Sequence, residues 1–258
     1  MKEDILINIT PQETRIAIVS EGTVQELHIE RSQTRELAGN VYLGRVVRVL
    51  PGMQSAFVDI GLERAAFLHI DDILEAHYNE EGQNKIIPIE RMLQDGQPVM
   101  VRVIKDPLGT KGARLSTQIS IAGRLLVYLP QEKHIGISQR IEDEKERESL
   151  KKRIQQMGQH GAMGGYIIRT MAEGASDDDL ESDMAFLQKI WQSLKDKAQV
   201  SPAPTLLYKD LTLSERILRD FVHEETNRIL VDSREEFVKL QEFAKLSVAV
   251  VRDEHCIL

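Results

Sequence analysis

The 258-residue chain is 41% hydrophobic and 29% charged, with a formal net charge of −8, the profile of a soluble globular protein with room for one or two domains. That acidity argues against a protein that coats nucleic acid with its whole surface, but it leaves room for a local basic patch. No apolar run reaches the ~18–20 residues needed to cross a bilayer, and the single cysteine, Cys256, excludes an intrachain disulfide and a Cys-rich zinc site within the chain.

The opening Met1-Lys2-Glu3-Asp4 lacks the basic and apolar regions of a secretory signal, so a cytoplasmic location is expected. Strands follow at residues 5–8, 14–20 and 23–30. Glu21-Gly22 joins the last two as a hairpin. Three antiparallel strands have no cover of their own and need a second layer. None follows at once. From residue 38 the alternation restarts, and residues 40–69 read as three consecutive strands split by turns at Pro51-Gly52 and Gly61-Leu62. These strands carry Phe57 and Phe67. An acidic insert, irregular or partly helical, spans 70–96. Strict alternation resumes at 97–104, a Gly/Pro turn covers 105–112, and Arg114–Ser120 reads as a fifth strand. Five short strands in this window predict a small OB-type barrel.

Further on, Leu125–Leu129 reads as a strand, then a polar loop leads to Gly136-Ile137-Ser138. Residues 142–158 suit an amphipathic surface helix with Leu150, Ile154 and Met157 on its apolar side. A glycine-rich break precedes a strand at Tyr166–Thr170. Ser176 followed by Asp177-Asp178-Asp179 is a strong helix start, because carboxylates there meet the positive end of the helix dipole. That helix is expected to run to about Lys197 and to bury Leu180, Met184, Leu187, Ile190, Trp191 and Leu194. Pro202 and Pro204 mark a linker. A helix is expected over 212–228, with Thr212 and Glu215 at capping-box spacing, then a strand at 229–232. A helix starting at Ser233 and Glu236 reaches about Leu246. This helix–strand–helix run is the cover the first strands lack, so residues 1–37 and 210–258 are expected to form one split α/β unit. Ser247–Leu258 reads as a strand.

Four groups of residues could carry chemistry. Phe57 and Phe67 either stack on bases, worth ~1–3 kcal/mol per base, or fill the barrel core. Between Arg102 and Arg124 lie five basic residues and one acid. Of these, Lys105, Lys111 and Arg114 surround the Gly109/Gly112 turn, which either binds phosphate through lysine charge and backbone amides or is a solvated turn. Arg169-Thr170 ends a strand, where a guanidinium and a hydroxyl can together hold a phosphate terminus. Asp59, Asp71, Asp72 and Asp232 are the candidate metal carboxylates, yet no two form a convincing pair. His69, His134, His160 and His223 are scattered and read as structural or surface, and Trp191 reads as packing.

Residues Gly39–Val46, Val49–Gly61 and Ala65–His69 resemble the S1-type RNA-binding domain of the RNase E/G endoribonuclease family. The segment 105–115 is nearer its RNase G branch. Ile137–Ile141, Ile167–Gly174 and Arg219–Phe221 extend the likeness over residues 1 to about 245. The resemblance implies an α+β protein. An S1-type OB β-barrel at 38–120 and a 5′-sensor α/β region at 121–209 would interrupt a split RNase H-like subdomain at 1–37 plus 210–258. It implies RNA contacts at Phe57, Phe67 and Lys111, and a 5′-monophosphate site at Val127, Arg169 and Thr170. It also implies single-stranded RNA as partner, with roles in rRNA processing and mRNA decay. No membrane is involved. The full-length family forms homo-oligomers, a point left open for this chain. The family's Mg²⁺-holding aspartates and its Cys-containing zinc-linked region have no match here, and the likeness fades near Ser247. The chain therefore reads as the N-terminal half of such an enzyme, inactive by itself. The alternative is a non-catalytic S1-type RNA-binding module or a truncated pseudo-enzyme.

Overall fold

The structure, a computed structural model, describes residues 2–31, 37–74, 87–158, 164–223, 225–247 and 256–257. The chain divides into two compact units, Met1–Glu36 with Leu211–Leu258 and Leu37–Asp210. The first unit opens with an antiparallel meander of β1 (Glu3–Ile9), β2 (Glu13–Ser20) and β3 (Thr23–Arg31). The β2–β3 turn places Glu21 at φ +52° and Gly22 at φ +75°. Two successive left-handed residues give the turn whose twist matches paired strands, and glycine adopts that conformation without steric penalty.

The second unit begins with β4 (Val41–Leu50), β5 (Ser55–Asp59), β6 (Ala66–His69), β7 (Pro98–Lys105) and β8 (Arg114–Ser116). Their hydrogen-bonded order is β4-β5-β6-β8-β7, and β7 pairs back onto β4 to close a five-stranded barrel consistent with an OB fold. Alternation sends Ala56, Val58, Ala66, Leu68, Val101, Val103 and Leu115 inward, each without solvent contact. The fifth strand stops at Ser116, short of the expected Ser120. There the Ser116 hydroxyl and the Thr117 N–H both donate to the Asp72 carbonyl, which pulls the chain off the ladder.

A four-stranded sheet follows, ordered β11-β12-β10-β9 from β9 (Ile121–Ala122), β10 (Leu126–Leu129), β11 (Ile135–Ile137) and β12 (Gly165–Ile168). Helices α1 (Glu144–Gly158) and α2 (Asp177–Val200) pack on it. Ser176 caps α2 as expected. Its hydroxyl accepts from the Asp179 N–H at 3.1 Å, and the Asp179 carboxylate accepts from the Ser176 N–H at 3.2 Å. Such a cap contributes about 1 kcal/mol. Leu180, Met184, Leu187 and Leu194 of α2 are buried. Each full burial is worth ~1.5–3 kcal/mol. Ile190 and Trp191 sit at the rim of this core, half-buried.

The stretch expected as a linker contains a strand, β13 (Thr205–Tyr208), which pairs antiparallel with β4. Leu207 is buried in the core, and Arg45 donates to the Ala203 carbonyl at 2.9 Å. Flanking prolines and only four residues hide such a strand from pattern reading.

Back in the first unit, α3 (Leu213–Phe221) starts at the expected Thr212–Glu215 capping box. It ends well before residue 228. The His223 N–H donates to the Thr226 hydroxyl and the Thr226 N–H to the His223 carbonyl, a turn that releases the chain into β14 (Thr226–Val231). β14 lies parallel to β1, with Ile5 opposite Ile229 and Ile7 opposite Val231. After α4 (Arg234–Ser247), β15 (Cys256–Ile257) pairs parallel with β14. Of the tail expected as one strand, Ser247 is helical and 248–255 fall outside the described residues. Ile217, Leu218, Leu240 and Ala244 cover Ile5, Ile7, Ile16 and Ile229 as a single core. Among the described residues no helix is long and apolar enough to cross a membrane.

Candidate nucleic-acid interface

On β5 and β6 the alternation that buries Ala56, Val58, Ala66 and Leu68 must turn Phe57, Phe67 and His69 outward. Phe57 lies directly opposite Phe67 across the ladder. The rings meet edge to face, with centroids 6.1 Å apart and planes at 64°. Phe57 keeps 38% of its surface exposed, so the two rings form an outer platform and not barrel core. His69 extends the row, 6.3 Å from Phe67 and tilted by 31°. Sequence reading took this histidine as structural or surface and missed its place in the row, whose signal was the two-residue step from Phe67.

Positive charge borders the platform. Arg48, exposed on β4, sits opposite Phe57. Arg114 of β8 is the register partner of Phe67, and its guanidinium is clamped by both Asp72 oxygens at 2.8 and 3.2 Å. Those hydrogen bonds and the Asp72 charge raise its pKa above the ordinary arginine value. The basic turn between β7 and β8 presents Lys105 and Lys111 to solvent, and Leu108 and Lys111 bond each other's backbone. Arg64 donates to the Gly109 carbonyl at 2.7 Å, tying this turn to the loop before β6.

Val127, Arg169 and Thr170 lie on, or just beyond, two paired strands of the other sheet. Val127 of β10 is the register partner of Ile167 in β12. Arg169 leaves the end of β12, where its N–H donates to the Leu125 carbonyl at 2.8 Å. Its side-chain Nη1 donates to the carbonyls of Gly123 at 2.5 Å and Arg124 at 3.2 Å. Thr170 follows and begins a single 3₁₀ turn. Under the 123–126 turn lies Asp183 of α2. One of its carboxylate oxygens accepts from the Arg124 N–H at 3.2 Å, and the other from Leu125 and Leu126 at 3.0 and 2.9 Å. Burial pushes the Asp183 carboxyl upward, against the pull of those three N–H groups and the Arg169 charge. Gly123 has no room for a side chain, since a Cβ there would stand 2.6 and 2.7 Å from the Asp183 oxygens. Asp183 was also missed from sequence. A lone carboxylate on the stripe defined by Leu180, Met184 and Leu187 was its mark.

The candidate metal carboxylates are engaged separately. Asp59 accepts from the Gly61 N–H, Asp71 pairs with His69, Asp72 holds Arg114, and Asp232 accepts from the Ile9 N–H and the Asn8 amide. Among the described residues no three His, Cys, Asp or Glu side chains gather where they could hold a metal ion. Trp191 packs against the α2 core, and Lys195 lies 6.0 Å above its ring.

The family model described as the ribonuclease E/G family matches residues 120–255, past the point near Ser247 where the likeness of single motifs fades. The chain is 47% identical over 247 residues to ribonuclease G of Salmonella typhimurium (strain SL1344), covering 94% of this chain and 50% of that protein. Ribonuclease G of Haemophilus influenzae is 46% identical over 244 residues, with 93% and 49% covered. Ribonuclease E of Escherichia coli (strain K12) is more distant, 34% identical over 253 residues, covering 96% of this chain and 23% of that protein. The chain spans about half the length of the ribonuclease G relatives it matches. A family match over more than half the residues, joined to a five-stranded barrel with paired aromatics on its outer face, places this chain in the ribonuclease E/G family, nearer to ribonuclease G than to ribonuclease E.

Proposed function

We propose that this chain is the RNA-binding and 5′-end-reading portion of an RNase G-like endoribonuclease. In this reading residues 38–120 are an S1-type domain, 121–209 a 5′-sensor region, and 1–37 with 210–258 a split RNase H-like subdomain. Single-stranded RNA stacks on Phe57 and Phe67 while Lys111 meets its phosphates. A 5′-monophosphate is held by the Arg169 guanidinium, the Thr170 hydroxyl and the backbone at Val127. Phosphodiester hydrolysis belongs to a Mg²⁺ centre outside the residues described here, and this chain alone binds RNA without cutting it. Roles in rRNA processing and mRNA decay, a cytoplasmic location and homo-oligomer formation by the full-length protein follow from the family likeness.

One observation carries the 5′-end reading: Arg169 is fixed before any ligand arrives, through its own N–H and through Nη1, to carbonyls of a single turn. A pre-oriented guanidinium loses little freedom when it meets a phosphate. Fluorescence anisotropy with one RNA sequence, carrying either a 5′-monophosphate or a 5′-hydroxyl, tests it. Arg169→Ala is expected to weaken binding of the phosphorylated form by about 1.5–3 kcal/mol, the scale of a charge-assisted hydrogen bond. The hydroxyl form should be nearly unchanged. Equal losses for both remove the sensor reading. Mg²⁺-dependent cleavage of the phosphorylated RNA by the purified chain overturns the binding-only part.

A further inference from the structure

We infer that Asp183 is the positioning residue of the 5′-phosphate pocket, setting the orientation of Arg169 through three peptide units of the 123–126 turn. The inference rests on the 5′-end reading above and adds a residue that touches no RNA.

The argument lies in which atoms belong to the same peptide. The N–H groups of Arg124, Leu125 and Leu126 all donate to the Asp183 carboxylate. The carbonyls of those same three peptides belong to Gly123, Arg124 and Leu125. Each of these accepts from Arg169, the first two from Nη1 and the third from its backbone N–H. In a trans peptide the N–H and C=O point in opposite directions. Three dipoles therefore run from the carboxylate to the arginine, each with its positive end on Asp183 and its negative end on Arg169. Hydrogen bonds linked in this way polarise one another, most strongly in a dry interior. Asp183 is well suited to the task because α2 holds it rigidly, between the buried Leu180, Met184 and Leu187. Gly123 permits the close approach, since any side chain there would collide with the carboxylate. Removing the carboxylate frees the three peptides to rotate, and the carbonyls that aim Arg169 rotate with them.

The test uses the full chain and the same pair of RNAs, 5′-monophosphorylated and 5′-hydroxyl. Asp183→Asn keeps the size but turns one acceptor oxygen into an NH₂ group facing a backbone N–H. Gly123→Ala attacks the same contact from the turn. Each should lower the preference for the phosphorylated RNA about tenfold, with affinity for the hydroxyl RNA kept within about twofold as the folding control. Leu194→Ala, a buried position farther along the same helix, loosens α2 without touching the carboxylate and should keep the preference. A wild-type preference in Asp183→Asn or in Gly123→Ala overturns the inference, and so does an equal loss in Leu194→Ala. If Arg169→Ala abolishes the preference while Asp183→Asn keeps it, the 5′-end reading stands and this inference alone falls. A wild-type chain with no preference at all overturns both.

Discussion

The barrel platform and the turn that holds Arg169, the proposed 5′-phosphate site, fix a side chain in different ways. Phe57 and Phe67 are held by a ladder. Their orientation follows from alternation, and their neighbours Ala56, Val58, Ala66 and Leu68 are buried without remainder. Arg169 is held by backbone atoms of a turn some 45 residues earlier in sequence, and that turn hangs on a carboxylate from a helix that follows it. The first arrangement is local and regular. The second is a long-range polar network in which each member orients the next. A regular platform should lose function in proportion to the ring removed, whereas a network should fail as a unit.

The comparison can be broken most severely at Leu187, which has no solvent contact and lies on the α2 face that carries Asp183. Leu187→Ala is expected to cost about 2–5 kcal/mol of stability, measured by urea unfolding, because the site cannot fully collapse around the cavity. At temperatures where the variant stays folded, it should erode the 5′-phosphate preference before it affects the platform. Loss of hydroxyl-RNA binding first would show that the two regions do not fail separately. A smaller effect sharpens the other side. Phe57→Ala should weaken phosphorylated and hydroxyl RNA alike, by about 1–3 kcal/mol in titrations. A selective loss for one form would tie the platform to the 5′ end. The smallest effect concerns pH. The Asp183 carboxyl is raised by burial, so the folded protein keeps its proton to higher pH than the unfolded chain does. Stability from this group is present below the ordinary aspartate value and is lost as pH rises through that value to the folded one. Asp183→Asn should remove this downward slope, and identical pH profiles for the two proteins in thermal unfolding would deny the burial effect.

Much of this was legible in the residues. Alternation and turn chemistry located the meander and the barrel strands, Ser176 with the aspartates after it marked one helix start, and Thr212 marked another through its capping-box spacing. The misses have physical causes. β13 is four residues long beside two prolines, and only pairing with β4 makes it a strand. The end of α3 was overrun because Val222 keeps the helical phase, while the turn closed by Thr226 ends the helix. Whether Phe57 faced the core or the solvent depended on the register of β5, which sequence left open. Arg169 stood out as a dipeptide with Thr170, but the backbone carbonyls that aim it carry no side-chain signature.

The parallel pairing of β1 with β14 joins Glu3 to Thr226. During synthesis the β1–β3 meander leaves the ribosome roughly 200 residues before its parallel neighbour. At ~5–20 residues per second that is a wait of about 10–40 s. For this interval Ile5, Ile7 and Ile16 lack the helices that later bury them, and the open edge of β1 can template a foreign strand. Residues 37–210 can close their own cores meanwhile. Within this chain the β1–β3 meander is therefore the part that waits longest for its cover.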